Sequence, residues 1–480
     1  MKLKPLTLIA PKIQVSEIFP ALELIMSHQA IDEAIAETNS QEKRNRLLPT
    51  HLIIALVIAH SLWSKDSVVD VLKNLVQGLS ASWIPQGMKW KTPSKSSISE
   101  ARQRVGSGVM TRLFEKLARP MANKETPSAF LKGLRWMAID GTVFDLPDTE
   151  ENSRVFGYPG CRKGTKAAFP KARLVILVEL GTHLITDALI SPYRIGERVR
   201  AIKLLRSVEQ GMLLTWDRGL HSFKMVQATL DRQCHLLGRI PKNIKFPRVH
   251  ELPDGSYLSW INPDRTLASR FNGSQTRNAL ARKSKKKGAT RIQVRVIEYM
   301  ILEQGDEVIY RLITDLMDDE LFPSLLLADE YHWRWEVENT LSEFKTHLNS
   351  RKTPIRSKKP KLVVQEIYGW LLAHWAIRSL IFHASTTTEQ SPLQFSFTGT
   401  LRILRRAISQ FQQALPSSLP YFFSWLISEI AEQIIPTRQG RTNPRVVKKP
   451  RSKFRARKPI HRTGFTQLQP LTFAVASSAT

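Results

Sequence analysis

Cysteine is nearly absent from this chain, which has only 2 cysteines in 480 residues. Cys161 and Cys234 are far apart, and neither belongs to a CxxC pair, so they cannot supply the four ligands of a zinc site by themselves. Such sparse use of cysteine fits a reducing compartment. We therefore expect a cytoplasmic protein.

Acidic residues are scarce relative to basic ones. The chain has 42 Asp and Glu against 71 Lys and Arg, which gives a formal net charge of +29 and a pI near 10.2. The surplus positive side chains repel one another unless a polyanion neutralises them. Binding of a neutral small-molecule substrate would not explain such a surplus. Nucleic acid is the leading partner. A membrane surface is the weaker alternative, because no amphipathic, lysine-rich terminal helix is evident.

The chain also lacks a long uninterrupted hydrophobic run. The N-terminal stretch MKLKPLTLIAPKIQVSEIF has no apolar segment of the length that a signal peptide needs. The most apolar stretch, residues 47–63, is interrupted by His51 and His60 and is short for a membrane span. We predict that it is a buried helix.

No HExxH, GxGxxG, Walker-type or GxSxG sequence occurs, so none of these motifs assigns a chemistry. The composition is that of an ordinary globular protein, with 42% hydrophobic and 24% charged residues. The length predicts roughly two to four structural units.

Residues near 10–120 have a helical pattern. Within residues 97–118 apolar side chains recur with a period near 3.6, at Ile98, Ala101, Val105, Val109, Leu113 and Leu117. Ser96 or Ser97 is the predicted N-cap of this helix. Its basic residues form either a solvated face or a DNA-contacting face; they are Arg102, Arg104, Arg112 and Lys116.

After residue 126 the pattern changes to strands that alternate with helices. LRWMAIDGTVFDL is strand-like, and ARLVILVEL followed by HLITDALI predicts a hairpin. GERVRAIKLLRSV predicts a helix, GMLLTWDRGL a buried strand and SFKMVQATLDR another helix. Strands followed by helices predict an α/β fold with a mixed sheet.

Residues 234–300 interrupt this alternation with turn pairs, short β-like runs and the basic tract 282–287, which is either a solvated loop or a DNA contact. A further hairpin is predicted before a helix that begins near Pro323. Residues 361–435 are mostly helical in pattern. The segment 438–462 has eleven Lys and Arg and no acid, and we expect it to be disordered until it meets a polyanion.

The helix after Pro323 carries a polar stripe. An α-helix turns by about 100° per residue, which places four side chains in a sector roughly 60° wide. They are Tyr331, Arg334, Glu338 and Lys345. The nearby acids Glu330, Glu336 and Glu343 fall outside this sector. The plain alternative is a surface helix in which Arg334 and Glu338, spaced i and i+4, form a salt bridge.

Two further carboxylates occupy positions that need a reason. Asp140 lies within an otherwise apolar strand, where an acid is costly without a metal or a base as partner. Asp217 stands where a buried strand ends, the place where α/β sheets bind ligands. Together with Glu338 they can hold two Mg²⁺ ions, which prefer oxygen ligands. With the high positive charge, this set favours metal-assisted phosphodiester chemistry.

These elements resemble the bacterial insertion-sequence DDE transposases of the insertion element four family. The resemblance is carried by AIDGT with Asp140, WDRG with Asp217, and the spacing Y-x2-R-x3-E-x6-K on the helix, known as the YREK motif. KSSISEARQRVG resembles the end of that family's N-terminal domain, and RLITDLMDDELFPSLLLADEYHWRWEVE resembles its approach to the glutamate. The resemblance covers roughly residues 10–375.

The resemblance implies a ribonuclease-H-like catalytic core with a β-strand insertion between the second aspartate and the glutamate. The expected regions are a helical, DNA-end-binding domain at 1–125, the two parts of the core at 126–233 and 301–355, the β-rich insertion at 234–300, a helical region at 356–436 and a basic tail at 437–480.

The resemblance also implies an activity: a DNA transposase that cuts at the ends of an insertion sequence and joins the 3′ ends to target DNA, by cut-and-paste through a hairpin intermediate. Asp140, Asp217 and Glu338 would hold two Mg²⁺ ions, with Mn²⁺ as a substitute. Tyr331, Arg334 and Lys345 would contact the DNA backbone. The expected partners are double-stranded DNA and a second copy of the chain in a synaptic homodimer, acting at the bacterial nucleoid without a membrane. A ribonuclease-H-like nuclease without strand transfer, or an inactive DNA-binding relative, remains the alternative.

Other residues have plainer interpretations. Asp145 and Asp148 follow the first strand and fit turn or cap roles, with a supporting role at the site left open. His221 is expected to be a satisfied turn histidine and His374 a core histidine. Members of the resembling family use an insertion-domain tryptophan to grip a flipped base, but Trp260 is not assigned to that role.

Overall fold

The computed structural model describes residues 26–43, 46–76, 92–160, 167–263, 291–303, 306–349, 355–413 and 416–435. Four features discussed above lie outside these ranges: the N-terminal stretch 1–19, the basic tract 282–287, the basic tail 437–480 and Cys161.

The described N-terminal residues are helical, as predicted. They form α1 (His28–Glu37), α2 (Thr50–Leu62), α3 (Val68–Val76), α4 (Lys95–Val105) and α5 (Gly108–Leu117). α2 is buried along nearly its whole length, which confirms the prediction for the apolar stretch. Within the described ranges, no helix is both long and apolar enough to cross a membrane.

The prediction of one continuous helix over residues 97–118 is wrong. The chain turns at Gly106, whose φ of 75° lies in the left-handed region that glycine adopts without a steric penalty. α4 ends before it, and α5 begins at Gly108. The N-cap is Ser94, whose hydroxyl accepts a hydrogen bond from the backbone N–H of Ser97.

The basic residues of these two helices form ion pairs and hydrogen bonds within the protein, and a role of theirs in DNA contact stays a prediction. Arg104 pairs with Glu42 at 3.1 Å, and Lys116 pairs with both Glu33 and Glu37 at 2.7 and 2.8 Å. Arg112 also pairs with Glu37, while Arg102 donates to the side chain of Gln365 at 2.8 Å. The four cations therefore link the helices to each other and to the C-terminal half of the chain.

A ten-stranded sheet forms the centre of the described structure. Its strands are β1 (Phe130–Leu131), β2 (Leu134–Asp145), β3 (Lys171–Glu179), β4 (Leu184–Pro192), β5 (Met212–Trp216), β6 (His235–Arg239), β7 (His250–Glu251), β8 (Tyr257–Ile261), β9 (Ile292–Glu303) and β10 (Asp306–Thr314). They run in the order β4-β3-β2-β5-β6-β10-β9-β8-β7, and β1 pairs with β2. β2, β5 and β6 are parallel and the other pairs antiparallel, which confirms the predicted mixed α/β fold.

The region predicted as a β-rich insertion shares this sheet. β6, at its start, lies between β5 and β10, and β8 pairs with β9 to extend the sheet outward. His235–Arg239 is therefore a strand of the central sheet itself. The domain boundaries stay predictions.

Helices cover both faces of the sheet. α6 (Glu150–Phe156), α7 (Glu197–Leu204) and α8 (Phe223–Leu230) follow β2, β4 and β5. Successive residues of β2 point to opposite faces, so Ala138 joins the core formed with α2 and the C-terminal helices. Met137 and Ile139 join the core formed with α7 and α8.

The C-terminal half contributes α9 (Ser324–His332), α10 (Glu336–Ser342), α11 (Pro360–Thr388), α12 (Phe397–Gln413) and α13 (Leu419–Ala431). A 3₁₀ turn at Trp333–Trp335 joins α9 to α10, and a π-helical turn at Glu343–Leu348 follows α10. The residues at these junctions have right-handed helical backbone angles, so the chain does not break between the segments. We call this nearly continuous rod, residues 324–348, the site helix. As predicted, it starts after Pro323.

Candidate active site

Asp140 and Asp217 lie side by side at one edge of the sheet. Ile139 of β2 pairs in parallel with Trp216, the last residue of β5, and Asp140 and Asp217 are the residues that follow these two in the chain. β5 ends at Trp216, whereas β2 continues past Asp140 while pairing with β3. β2 therefore extends beyond the carboxyl end of β5, and Asp140 lies beside that end, where ligands bind in α/β folds.

The electrostatic surroundings of Asp140 favour a proton or a cation. Burial raises the pKa of its carboxyl to about 7, and the nearby carboxylates of Glu197 and Asp217 act in the same direction. A hydrogen bond from the backbone N–H of Gly141, 2.7 Å from Oδ1, and the positive charge of Arg334 oppose this shift without cancelling it. Asp140 therefore faces a local shortage of positive charge.

The site helix presents its polar stripe to this edge. The hydroxyl of Tyr331, a buried residue, donates to the carbonyl oxygen of Trp216 at 3.2 Å. Burial raises the pKa of Tyr331 to about 12, while Arg334 and Arg239 lower it and Asp217 raises it. Tyr331 is thus fixed beside the residue that precedes Asp217.

Lys345 reaches the other strand of the site. Its Nζ donates to the hydroxyl of Thr142 at 2.7 Å and to the carbonyl oxygen of Val143 at 3.3 Å. Burial lowers the pKa of Lys345, although Asp145 acts against this. The two ends of the stripe therefore contact β5 and β2, with Arg334 and Glu338 between them.

Glu338 is held by its neighbour. Arg334 donates from Nη2 to Glu338 Oε1 at 3.1 Å, which is the salt bridge of the plain alternative, and the same guanidinium acts electrostatically on Asp140. Arg334 therefore interacts with both Glu338 and Asp140. Across the described ranges, no group of three His, Cys, Asp or Glu side chains is arranged to hold a metal ion. The assignment of Asp140, Asp217 and Glu338 as joint metal ligands stays a prediction.

Two of the three acids that the helical periodicity placed outside the stripe, Glu336 and Glu343, have partners away from it. Glu336 Oε2 and Glu343 Oε1 contact the two ring nitrogens of His183 at 2.8 and 3.1 Å. Glu343 also binds Arg378 and His374 of α11. These partners, Arg378 first, hold the pKa of Glu343 well below its usual value against the effect of burial. This buried network attaches the site helix to the β3–β4 turn and to α11.

Sequence reasoning missed Glu197, which is as much a part of the site as Asp217. It begins α7, pairs with Arg173 at 2.9 Å and raises the pKa of Asp140. In its present position the side chain lies close to residue 141, which is glycine: a Cβ there would lie 2.6 Å from Glu197 Cδ, so a larger residue would make the end of the Glu197 side chain move. The glycine after Asp140 was the one available signal, and it does not indicate which distant side chain fills the space.

The remaining candidates have structural partners. Asp145 pairs with Lys171, and Asp148 accepts a hydrogen bond from the hydroxyl of Tyr158. His374 is a core histidine, as predicted. His221 is buried but not fully satisfied, because its Nδ1 has no hydrogen-bond partner; burial lowers its pKa to about 4. The ring of Trp260 lies under the guanidinium of Arg291.

The three predicted ligands have the donor chemistry of a divalent-cation site, although in the described ranges they are not grouped closely enough to hold one. Asp140, Asp217 and Glu338 offer carboxylate oxygens, the ligands that hard cations such as Mg²⁺ prefer. Burial is the main cause of the raised pKa of Asp140, with smaller contributions from Glu197 and Asp217, and a bound cation would favour the ionised carboxylate.

Comparisons with known proteins identify the family of this chain. A family model described as "Insertion element 4 transposase N-terminal" matches residues 17–115, and one described as "Transposase DDE domain" matches residues 132–376. The chain is 28% identical over 423 residues to "Transposase InsG for insertion sequence element IS4" of Escherichia coli, covering 88% of this chain and 90% of that protein. It is 27% identical over 230 residues to "Putative transposase InsZ" of the same organism, covering 47% of this chain and 74% of that protein.

Among solved structures, a cryo-EM structure of the piggyBac transposase synaptic complex with hairpin DNA is similar with a TM-score of 0.44 and 11% sequence identity. The similarity covers 90% of this chain and 88% of that chain.

Proposed function

The chain belongs to the DDE transposases of the insertion element 4 family, and on this basis we propose that Asp140, Asp217 and Glu338 are the carboxylates that carry its reaction. It is a DNA transposase, an enzyme of DNA cleavage and strand transfer with a ribonuclease-H-like core, and its DDE domain implies dependence on a divalent metal. The observation that carries the residue assignment is the parallel register that sets Asp140 beside Asp217, under the polar stripe of the site helix.

Two Mg²⁺ ions, with Mn²⁺ as a substitute, would be held by the three carboxylates and would supply Lewis-acid stabilisation of the charge that develops on the phosphodiester oxygens. Asp140 is suited to this role because its surroundings disfavour a bare negative charge. Glu197 adds to that effect from the side of α7.

Arg334 has two tasks in this proposal. In the free protein it neutralises Glu338. The Arg334 side chain is 13% exposed, so part of the guanidinium can be reached by a ligand. A DNA phosphate at the site would accept from this group, since arginine binds phosphate oxygens in bidentate fashion. Binding of DNA would then draw Arg334 away from Glu338 and free that carboxylate for a cation.

Tyr331 and Lys345 would position the DNA backbone at the two ends of the stripe. Each already contacts one strand of the site, Tyr331 at β5 and Lys345 at β2. Phosphate contacts of this kind fix the register of a duplex but read no sequence. The stripe would therefore orient the scissile bond over the aspartates.

We assign the chemistry to cut-and-paste transposition. Water attacks the phosphodiester at the element's end and leaves a 3′-OH, which then attacks the opposite strand to form a hairpin; after the hairpin reopens, the 3′-OH attacks target DNA. No energy cofactor is needed, because phosphodiester bonds are exchanged. Two ends must be held together, so we propose a homodimer in the synaptic complex. Action on chromosomal DNA places the enzyme at the nucleoid, in the cytoplasm.

The test uses a plasmid-borne copy of the element with its flanking DNA. Asp140→Ala, Asp217→Ala and Glu338→Ala should each abolish cleavage and end joining while DNA binding persists. Asp329→Ala, an exposed acid on α9 outside the stripe, is the matched control and should cut normally. A Glu338→Ala protein that cuts at the normal rate would refute the assignment. Cleavage without any joining of 3′ ends would instead identify a nuclease.

A further inference from the structure

A pocket with a volume of about 160 Å³ lies beside the candidate active site and is lined mainly by positively charged residues. We call it the basic pocket; its lining residues are Arg218, Arg239, Ile240, Lys242, Ile309 and Arg311. Arg218 directly follows Asp217, and Arg239 ends β6, the next strand of the sheet after β5. The pocket thus continues the carboxyl edge on which Asp140 and Asp217 lie.

The charges of the pocket are only partly neutralised. Arg311 pairs with Glu298, and the guanidinium of Arg239 lies 3.7 Å from the ring centre of Tyr310. Arg218 and Lys242 are exposed, and neither forms an ion pair with a side chain in the described ranges. No acidic residue lines the pocket. Two cations are therefore available to an anionic ligand.

The pocket is electrostatically continuous with the site. Arg239 acts with Arg334 to lower the pKa of Tyr331, whose hydroxyl bonds the backbone beside Asp217. Neighbouring strands of a sheet are about 4.8 Å apart, so β6 lies one such step beyond β5. A chain of phosphates that crosses the aspartates in the direction of β6 would meet Arg218 and then Arg239.

The pocket also has an apolar side. Ile309 of β10 is 56% exposed, unusual for an isoleucine in the centre of a strand. Cations beside an exposed apolar surface suit a ligand that combines phosphate with a less polar sugar, rather than a free inorganic anion.

We propose that the basic pocket binds backbone phosphates of the DNA strand next to the cleavage position, with Arg218 and Lys242 as the contacting cations. This inference rests on the proposed function, because it takes Asp140 and Asp217 as the point of cleavage. It adds a phosphate-binding surface on β5, β6 and β10 to the stripe of the site helix.

The experiment measures DNA binding separately from catalysis. Binding of a random-sequence duplex is followed against salt concentration in metal-free buffer, with Asp140→Ala as the parent protein. Each lost phosphate contact should lower the slope of log affinity against log salt by about 0.9. Arg218→Ala/Lys242→Ala should therefore reduce the slope by roughly 1 to 2. Arg218→Lys/Lys242→Arg should keep it.

The matched control is Lys132→Ala/Arg232→Ala. These two exposed cations precede β2 and β6, at the opposite edge of the same sheet, and their removal changes the net charge equally. If direct phosphate contacts rather than net charge determine the salt slope, the control variant should have a slope within about 0.3 of the parent value. An equal loss of slope in both double variants, or no loss in either, overturns the proposal.

The two proposals can fail independently. Normal cleavage by the Asp140→Ala protein would refute the proposed catalytic residues without touching the measured slope. An unchanged slope in Arg218→Ala/Lys242→Ala would refute phosphate binding by the basic pocket and would leave the catalytic assignment intact. Should the alanine variant lose its thermal unfolding transition, Arg218→Gln/Lys242→Gln provides the same loss of charge with longer side chains.

Discussion

His183 Nε2 lies 2.8 Å from Glu336 Oε2, and this contact joins the β3–β4 turn to the back of the site helix. His183 has a φ of 58°, an uncommon backbone conformation for a residue with a side chain. Its other ring nitrogen faces Glu343 and Arg378. One histidine thus supports the helix whose front face carries Arg334 and Glu338.

Replacing His183 should disturb catalysis through the position of the helix. His183→Ala leaves two acids of the site helix without this partner, so we expect a loss of about 2–4 kcal/mol in the free energy of unfolding. The cleavage rate should fall while the affinity for DNA changes little. His183→Asn should recover part of both losses, because asparagine tolerates positive φ and can hydrogen-bond.

Urea unfolding and single-turnover cleavage check this prediction, with His250→Ala, an exposed histidine on β7, as the control. Normal cleavage by a destabilised His183→Ala protein would show that the contact supports the fold alone.

The Glu343 network predicts a dependence of stability on acid. The folded-state pKa of Glu343 lies well below the ordinary value of 4.5, so its stabilising contribution is complete above that pH and is lost as the pH falls toward the folded pKa. His374, whose pKa burial lowers, also resists protonation in the folded state and adds to the loss in acid.

Glu343→Gln should therefore be less stable than the parent at neutral pH, by roughly 3–5 kcal/mol, because it leaves Arg378 buried and unpaired. Its stability should also fall less steeply between pH 5 and pH 3, a range set by the direction of the Glu343 pKa shift. Unfolding at several pH values measures both effects. Glu125→Gln, at an exposed position, should retain the parent's slope.

Gly141→Ala should displace Glu197. The added Cβ would lie 2.6 Å from Glu197 Cδ, a separation that side chains do not tolerate. Because the clash is with the movable end of the Glu197 side chain, we expect a destabilisation of only about 1 kcal/mol, from the lost ion pair with Arg173, and a loss of cleavage. In a double-mutant cycle, Gly141→Ala should therefore cost little further stability when Glu197→Ala is already present. Gly160→Ala, where a Cβ meets nothing within 4 Å, is the control. Additive losses in the cycle would contradict the close approach.

Lys345→Ala should weaken DNA binding without preventing folding. Burial lowers the pKa of Lys345, and its Nζ is held by Thr142, so it is oriented as a donor before DNA arrives. Loss of one phosphate contact should reduce the salt slope by about 0.9. Lys132→Ala serves as the control for net charge. A slope equal to that of the parent would show that Lys345 does not contact a DNA phosphate.

The parts of the site that sequence predicts are those governed by local periodicity. The spacing of Tyr331, Arg334 and Glu338 specifies one face of a helix, and the apolar run before Asp217 specifies a buried strand. The parallel register of β2 and β5 then brings Asp140 and Asp217 together.

The parts that sequence does not predict depend on pairs remote along the chain. Glu197 meets Asp140 because α7 packs beside β2, and Arg102 binds Gln365 across 263 residues. Neither partner is marked by spacing or composition. The break at Gly106 was likewise not predicted. A single glycine leaves the spacing of the apolar residues unchanged, although its backbone conformation ends one helix and turns the chain.

α11 is a 29-residue helix buried along most of its length, and it packs against α2, α13, β4 and the π-helical turn of the site helix. It supplies Arg378 to the site helix and Gln365 to α4. A truncated protein that stopped before residue 356 would expose the apolar surfaces that α11 covers and would leave Glu343 without its cation. Expression of the catalytic segment alone should thus yield aggregated material, and an isolated minimal enzyme would have to retain this helix.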